Sequence, residues 1–325
     1  MRSIKTIRLA TLLLLLFIQT SQLFGQVQEI SSNRVSGIYI YDNQLWYIDD
    51  GNTKIYDLST DKDITVKYKV YSRTFTPIAS SGSEIWIMNS NNIFVLSKIK
   101  TKRYNLPNKL YGLENGTIET YNNFIPIGIN ELLIRGLSNR AKSNEAARIV
   151  KVDAVYADGK VNEIIDYLPT GSAVDFVDVA FRPESEMYVT DSWSIQKKTN
   201  KGFTPIDLSK IKGAQSISLG EVAADGSLWV YQAGEGLIHV EKNKATRIDY
   251  GRNARFLKGE KVNHLQVLEN GLVAIATESE IWLMMRNYFY PLKTDFNSNK
   301  IRLMKSWENK LIVATDEGLI VMDAK

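Results

Sequence analysis

Short apolar segments recur along the chain at a nearly constant spacing. Each follows a tight polar turn and precedes a second apolar segment. The seven segments begin at Leu45, Ile85, Leu132, Met187, Leu228, Leu272 and Leu311. The steps between these residues are 40, 47, 55, 41, 44 and 39. Apolar residues are consecutive in them rather than strictly alternating, which indicates strands that are buried on both faces.

The fifth unit shows the layout best. Four strands are predicted, at 216–223, 228–231, 236–240 and 246–249, and Asp225-Gly226 predicts a type I′ hairpin turn between the first two. Long helical patterns are missing throughout. A period of about 40–45 residues with four strands per unit is typical of a β-propeller blade. The sequence therefore predicts an all-β fold, a seven-bladed β-propeller of four-stranded antiparallel blades.

The two ends of the chain complement each other in this prediction. The last unit has predicted strands at 300–305, 311–315 and 319–322, and then the sequence stops without a fourth. Val27–Ser31 is an extra strand-like segment ahead of the first unit. We expect it to pair with Leu319–Met322, complete the last blade and close the ring, because closure removes exposed sheet edges.

Residues 1–25 differ from the rest of the chain and predict a secretory signal peptide, followed by one domain at 26–325. Arg2, Lys5 and Arg8 precede an apolar run at 9–18, and a polar segment ending in Gly25 follows. The run is short for a membrane span, although an uncleaved anchor is the alternative. With the leader cleaved, no other segment approaches transmembrane length, so a periplasmic or secreted protein is predicted.

Charge and cysteine content narrow the function classes. The chain has 40 basic and 36 acidic residues, and the three basic residues of the leader reduce this to 37 against 36. A domain so close to neutral lacks the electrostatic surface that nucleic acids require. The chain has no cysteine, which excludes disulfides and a lipoprotein anchor, so its stability depends on the apolar core.

Aromatic residues recur at the second position of the inner segments, at Trp46, Trp86, Tyr188 and Trp229. Stacking on carbohydrate is one role for such residues. Their place inside predicted strands favours packing between blades instead.

Two units resemble a known family. Asp225-Gly226-Ser227-Leu228-Trp229-Val230 followed by Gly236-Leu237-Ile238, and Lys310-Leu311-Ile312-Val313-Ala314-Thr315 followed by Gly318-Leu319-Ile320, are similar to the two-component regulator propeller repeat. Thr277 and Thr315 match its threonine. The resemblance implies a periplasmic ligand-sensing propeller of the kind common in Bacteroidetes. The large sensors of that family continue into a membrane helix and a kinase. We therefore expect this chain to act with a membrane sensor or an envelope complex, or to be a free-standing binding protein.

Candidate binding residues follow from the predicted loops. In a propeller, the loops between second and third strands and the connections between blades open on one face, and both long insertions, at 105–123 and 136–146, fall there. Rigid scaffolds carry binding residues on such loops, unless the insertions only cover a blade edge. The candidates are Tyr111, Tyr121, Asn122, Arg135, Arg140, Asn144, Asp191 and Glu235.

Carboxylates also follow the second strands, at Asp49, Asp50, Asp191, Glu235, Glu278 and Asp316. Such a ring can hold a divalent cation such as Ca²⁺, but the residues lack compact metal-loop spacing, which favours ordinary solvated loop tips. No other cofactor is predicted.

Enzyme chemistry has little support. Only His239 and His264 are present, which cannot supply a zinc site without cysteine, and no nucleophile or phosphate-binding motif occurs. The sequence predicts an exported, non-catalytic propeller that binds a protein or glycan ligand. The alternative is a hydrolase or lyase, similar to streptogramin lyase, with His264 as its catalytic candidate at the channel mouth.

Overall fold

The computed structural model describes residues 27–41, 43–65, 76–81, 84–89, 92–97, 101–105, 120–128, 131–137, 147–151, 164–167, 176–181, 186–191, 194–211, 217–248, 261–292 and 300–324. These residues form 28 strands in seven four-stranded antiparallel sheets. None of them belongs to a helix long and apolar enough to cross a membrane.

The strands have the following bounds. β1 (Val27–Ser31) comes first, and sheet 1 follows with β2 (Val35–Tyr41), β3 (Gln44–Asp49), β4 (Asn52–Asp57) and β5 (Lys62–Asp63). Sheet 2 contains β6 (Thr76–Ser81), β7 (Glu84–Asn89), β8 (Asn92–Ser97) and β9 (Thr101–Asn105). Sheet 3 contains β10 (Thr120–Gly128), β11 (Glu131–Leu137), β12 (Ala147–Lys151) and β13 (Ile164–Tyr167). Sheet 4 contains β14 (Phe176–Phe181), β15 (Met187–Asp191), β16 (Ile195–Thr199) and β17 (Gly202–Pro205). Sheet 5 contains β18 (Ile217–Val222), β19 (Leu228–Gln232), β20 (Gly236–Glu241) and β21 (Lys244–Arg247). Sheet 6 contains β22 (His264–Val267), β23 (Val273–Ala276), β24 (Ile281–Met285) and β25 (Tyr288–Leu292). Sheet 7 contains β26 (Ile301–Trp307), β27 (Lys310–Thr315) and β28 (Leu319–Asp323).

Sheet 7 takes its fourth strand from the other end of the chain. Sheets 1 to 6 are meanders in chain order, whereas the order in sheet 7 is β26-β27-β28-β1. Val27 lies opposite Met322, Gln28 opposite Val321 and Glu29 opposite Ile320. The predicted pairing of Val27–Ser31 with the last strand is therefore confirmed.

The core lies between consecutive sheets. Separate clusters of buried apolar side chains join sheets 4 and 5, 5 and 6, 6 and 7, and 7 and 1. In the last of these, Leu45 and Tyr47 of β3 share a cluster with Ile312 of β27 and Val321 of β28. All four residues of β23 are buried, which confirms that the inner segments are apolar at consecutive positions because both of their faces are covered.

The first strands of neighbouring sheets are also in contact. β2 contacts β6, β6 contacts β10, β14 contacts β18, β18 contacts β22, β22 contacts β26, and β26 returns to β2. The sheets of each of these pairs therefore pack side by side through their first strands, and the last sheet packs on the first.

The turns between first and second strands differ from the prediction. At Asp225-Gly226 only Gly226 has a positive φ, of 82°, and the N–H of Gly226 donates to the carbonyl of Ala223 at 3.0 Å. A type I′ turn requires a positive φ at both central residues, so this is instead a longer loop that ends on a left-handed glycine. Two-residue turns with positive φ at both positions occur between third and fourth strands, at Lys242-Asn243 and Arg286-Asn287.

Gly318 gives a test of how closely β1 approaches β28. A Cβ at this position would overlap the carbonyl oxygen of Ser31, and that oxygen belongs to main chain that cannot rotate away. We expect Gly318→Ala to lower the free energy of unfolding by about 1–3 kcal/mol through overpacking, measured by chemical denaturation. Gly37→Ala is the control, because its Cβ would meet only the flexible end of Ile48 at 3.3 Å. Equal stabilities of the two variants would contradict this account.

Candidate functional site

A polar cleft of about 660 Å³ opens between sheets 6 and 7. Three pieces of chain form it: the residues leading into β22, the turn between β23 and β24, and the residues leading into β26. Its lining consists of Lys261, Asn263, His264, Thr277, Glu278, Ser279, Lys300, Ile301 and Arg302. Two of these pieces connect sheets and one connects second and third strands, so the cleft lies on the face that the sequence predicted to carry the ligand.

Main-chain hydrogen bonds hold the walls of the cleft together. The N–H of Ile301 donates to the carbonyl of Glu278 at 2.7 Å, and the N–H of Asn263 donates to the carbonyl of Ala276 at 2.8 Å. The buried hydroxyl of Thr277 accepts from the N–H of Glu280 at 3.2 Å and so caps the turn. A related hydrogen bond occurs in sheet 7, where the Thr315 hydroxyl accepts from the N–H of Glu317, two residues later, at 3.2 Å. The threonine that resembled the repeat family is thus a turn cap.

Two ion pairs cross the cleft region. Lys300 pairs with Glu278 across the two sheets, and the hydrogen bond from its ammonium lowers the pKa of the Glu278 carboxyl. Arg302 on β26 pairs through Nε with Asp316, which follows β27 in the same sheet. The cleft therefore carries charges of both signs, and cations outnumber carboxylates among its described lining residues.

His264 is the one imidazole in the cleft. Burial lowers its pKa below the ordinary value of 6.5, the charge of Lys305 lowers it further, and a hydrogen bond with the main chain of Arg302 acts in the opposite direction. Among the described residues, His264 therefore has a main-chain group as its hydrogen-bond partner and a cation as its charged neighbour.

The second histidine is structural. The ring of His239 stacks on Trp229 with centroids 4.4 Å apart, and burial lowers its pKa against the charges of Asp225 and Glu241. Neither His239 nor Trp229 lines the cleft.

Stability is expected to fall as the pH decreases below about 6.5, because both histidines have folded-state pKa values below that of the unfolded chain. In this window the unfolded state binds more protons than the folded state, so the free energy of unfolding rises with pH. Above the window, the full contribution of the two histidines to stability is present. Chemical denaturation of the wild type and of His264→Gln at about pH 7.5 and 5.5 measures the effect. The variant should lose less stability than the wild type at the lower pH, and identical losses would contradict the assignment.

A second, smaller cleft of about 390 Å³ lies where β1 passes sheet 1. Glu29, Tyr47, Asp49, Lys54 and Asp63 are among its lining residues. The hydroxyl of Ser31 donates to Asp49 Oδ2 at 3.1 Å, and burial raises the pKa of Tyr47, with the charges of Asp63 and Asp49 adding to the effect. These contacts join β1 to sheet 1.

The predicted binding residues are only partly covered by the described chain. Tyr111, Arg140 and Asn144 lie outside the described residues. Tyr121 and Asn122, expected in an insertion, lie in β10, and Arg135 lies in β11. The insertion predicted at 105–123 is too long at its end. Thr120 pairs with Leu137 and Tyr121 pairs with Gly136, which extends this hairpin. Asn122 is the bulged residue of that ladder.

Two further candidates lie at the ends of second strands. Asp191 is the last residue of β15. Glu235 is exposed in the turn after β19, where Arg247 Nη1 lies 3.1 Å from its carboxylate and donates to its main-chain carbonyl at 3.0 Å. Glu235 thus serves at least in part to connect the turn to the outer strand of sheet 5.

Several carboxylates of the predicted ring have other contacts among the described residues. Glu235, Glu278 and Asp316 each pair with a basic side chain, and Asp49 belongs to the smaller cleft. In the described ranges, no three histidine, aspartate or glutamate side chains come together as a metal-binding group would. The Ca²⁺ site stays a prediction.

Six cleft residues were missed by the sequence analysis: Ser279, Ile301, Lys261, Asn263, Lys300 and Arg302. Ser279 lies in the turn after β23, and the other five lie at the start of first strands, directly after the connections between sheets. For the polar and basic ones, the signal in the sequence is a position just before an apolar segment, which is too common to single them out.

Comparisons with known proteins identify the type of fold but do not identify a family. No family model matches the chain, and no curated protein matches it. Among solved structures, virginiamycin B lyase from Staphylococcus aureus aligns with a TM-score of 0.60 at 14% identity, over 92% of this chain and 98% of the lyase. YCF48 bound to D1 peptide aligns with a TM-score of 0.60 at 10% identity, over 93% of this chain and 95% of YCF48.

A third similar structure is the extracellular domain of the one-component system BT4673 from B. thetaiotaomicron. It aligns with a TM-score of 0.61 at 12% identity, and the match covers 89% of this chain but 40% of that domain. Identities this low are informative about architecture alone. The chain has an all-β fold of four-stranded antiparallel sheets that is similar to β-propellers.

Proposed function

We propose that this chain is an exported seven-bladed β-propeller, closed by β1, that binds a protein or glycan ligand without catalysing a reaction. The face that carries the cleft between sheets 6 and 7 is its binding face. The contacts of β26 with β2 and the shared core of sheets 7 and 1 support a closed ring. Closure makes the scaffold rigid, which is what a binding face built from connections requires.

The observation that carries this proposal is the cleft itself. It is open and polar, and side chains from two sheets converge on it while main-chain hydrogen bonds fix their positions. Concave sites with a few converging polar groups are the usual form of ligand-binding sites. On the opposite face, the turns of sheets 6 and 7 are less free to contact a ligand because they bond to each other. The N–H of Asn270 donates to Asn309 Oδ1 at 3.0 Å.

Two similar structures fit a binding role outside the cytoplasm. One is an extracellular domain, and the other holds a peptide. We propose accordingly that residues 1–25 are a signal peptide, that the mature protein is periplasmic or secreted, and that it acts as a sensor or assembly module with a membrane sensor or an envelope complex. Intact mass measurement of the protein from the cell envelope should give a chain beginning near Gln26, whereas a retained leader would contradict cleavage.

Catalysis is the second candidate, favoured by the place of His264 in the cleft and by the similarity to virginiamycin B lyase. A catalytically inactive histidine-to-alanine variant of that lyase was solved with quinupristin. We expect this chain to leave quinupristin intact, because the groups assigned around His264 are a main-chain group and Lys305. Consumption of quinupristin by the wild type but not by His264→Ala would reverse the order of the two candidates.

Site-specific photo-crosslinking tests the binding face. A photoreactive amino acid replaces Ser279 in the cleft or, as a matched control, Asn270 in an exposed turn on the opposite face. In cells of the native host we expect a crosslinked ligand from position 279 and none from position 270. Crosslinking from position 270 alone, or equally from both, would place the binding face elsewhere.

A further inference from the structure

The cleft between sheets 6 and 7 has a surplus of positive charge. Among the described residues that line it, Lys261, Lys300 and Arg302 are basic and Glu278 is the one that carries a carboxylate. Lys305 lies close enough to His264 to affect its pKa. Even with Asp316 beside Arg302, the basic groups exceed the acidic ones. An anion entering the cleft would thus gain attraction that a neutral group would not.

Arg302 is held in a way that leaves part of its guanidinium available. Its Nε contacts Asp316, and its side chain is 31% exposed at the cleft. Among the described residues, neither Nη1 nor Nη2 has a hydrogen-bond or ion-pair partner. Asp316 thus fixes the side chain while the two Nη groups remain as donors, and such a planar fork matches the two oxygens of a carboxylate.

Lys261 adds a second free cation on the same rim. It is exposed, it lies close enough to Glu278 to lower the pKa of that carboxyl, and it forms no ion pair within the described ranges. Lys300 is engaged with Glu278, but both side chains are more than half exposed, at 54% and 61%. Exposed pairs of this kind are weak and exchange partners readily.

The lining also indicates which kind of molecule carries the anion. Among the described residues that line it there is no tryptophan, tyrosine or phenylalanine on which a sugar ring could stack, whereas Asn263, Ser279 and Glu278 offer donors and acceptors for peptide groups. The acidic groups at Glu278 and Asp316 disfavour a doubly charged phosphate.

We propose that this cleft binds a side-chain or terminal carboxylate of an acidic peptide segment, with Arg302 as the bidentate donor and Lys261 as a supporting cation. This inference rests on the proposed function, because it specifies the ligand chemistry of the same cleft. The segment lies across the turn at Thr277–Glu280, and its carboxylate replaces solvent at the two Nη groups.

Binding to an array of random twelve-residue peptides tests this inference. The probes are the purified mature protein and its variants Arg302→Gln, Arg302→Lys and Lys242→Gln. Lys242 is 87% exposed in a turn between third and fourth strands, so its variant has the same charge change away from the cleft. We expect aspartate, glutamate or a free carboxyl terminus to be enriched among peptides that bind the wild type.

The variants should separate in a defined order. Arg302→Gln should weaken the best acidic peptide by about tenfold or more, since a charge-assisted bidentate contact is lost. Arg302→Lys should restore only part of the affinity because lysine lacks the fork, and Lys242→Gln should match the wild type. Melting temperatures of the variants serve to detect misfolding. If Arg302→Gln is misfolded, the test is the comparison of peptide affinity between Arg302→Lys and Lys242→Gln.

Several results would overturn the inference: enrichment of neutral or basic peptides, no enrichment at all, or equal binding by Arg302→Gln. Displacement by polygalacturonate without any peptide enrichment would assign the cleft to an acidic glycan instead. If Arg302→Gln still crosslinks its native ligand from position 279, the proposed binding face stands and only the carboxylate chemistry fails.

Discussion

Removal of β1 is expected to cause the largest loss of stability. A variant lacking residues 1–31 should have a free energy of unfolding lower by about 3 kcal/mol or more, from lost strand hydrogen bonds and apolar burial. β1 pairs with β28 over Val27–Ser31 and contacts sheet 1 as well, where Gln28 Nε2 donates to the Tyr56 hydroxyl at 2.8 Å and Ile30 packs on the core. Its loss exposes both β28 and the seam between sheets 7 and 1.

The matched control lacks only residues 1–26 and keeps β1. Thermal and chemical unfolding of both variants measure the difference, which should appear as a fall in melting temperature of roughly 6 °C or more. A synthetic peptide of residues 25–33 added to the shorter variant should recover part of the stability if β1 binds as a strand. Equal melting temperatures of the two variants would mean that β1 does not close the structure.

The second large effect is expected from Trp46→Ala, at about 3–5 kcal/mol of lost stability. Trp46 has no exposed surface, and its Nε1 donates to Gln44 Oε1 at 3.1 Å. Its neighbours Leu45 and Tyr47 face sheet 7, so by strand alternation Trp46 faces the other way, towards sheet 2. The substitution leaves a large cavity and removes the hydrogen bond from Trp46 to Gln44.

Tyr290→Ala is the control for Trp46→Ala, because Tyr290 is an aromatic residue on an outer strand and is 49% exposed. Its replacement should change stability by about 0.5 kcal/mol or less. Chemical denaturation of both variants provides the comparison. A Trp46→Ala variant with wild-type stability and impaired ligand binding would support the stacking role on carbohydrate that the sequence also allowed.

The repeat and the pairing of chain ends could be predicted because both depend on local apolar patterns. Strands buried on both faces, such as β23 and β27, need continuous apolar residues, and this signal recurs once per sheet. The segment Val27–Ser31 could be assigned by elimination, since the last unit lacked a strand. Trp46 and Tyr188 are buried as the inner-strand pattern indicated, at 0% and 2% exposure.

Turn types were harder to predict than strands. Asp225-Gly226 suggested a type I′ turn, but its loop includes the preceding residues and uses a single left-handed glycine. Turns with two left-handed residues occur instead at Asp50-Gly51, Lys242-Asn243 and Arg286-Asn287, and the first residues of the last two give no such signal. Here the twist of the paired strands imposes the backbone conformation against the preference of lysine and arginine.

The candidate site shows where sequence analysis loses information. The face was predicted from loop positions, Glu278 and Asp316 were named from strand ends, and His264 was named as one of two histidines. Lys300 and Arg302, the basic partners of Glu278 and Asp316, were not named, because the contacts join positions on different sheets or across one sheet and have no fixed sequence spacing. Charge pairing that depends on three-dimensional proximity can be recognised only once the sheets are packed.

The central claim is tested most directly by hydrogen–deuterium exchange of the wild-type protein, measured with and without the ligand that crosslinking from position 279 identifies. The claim is that the face with the cleft between sheets 6 and 7 is where this protein binds. We predict that the ligand slows exchange in the turn at 277–280 and in the residues leading into β22 and β26. The turns at 269–272 and 308–309 on the opposite face should exchange at unchanged rates. Protection confined to those turns, or to neither face, would contradict the proposed binding site.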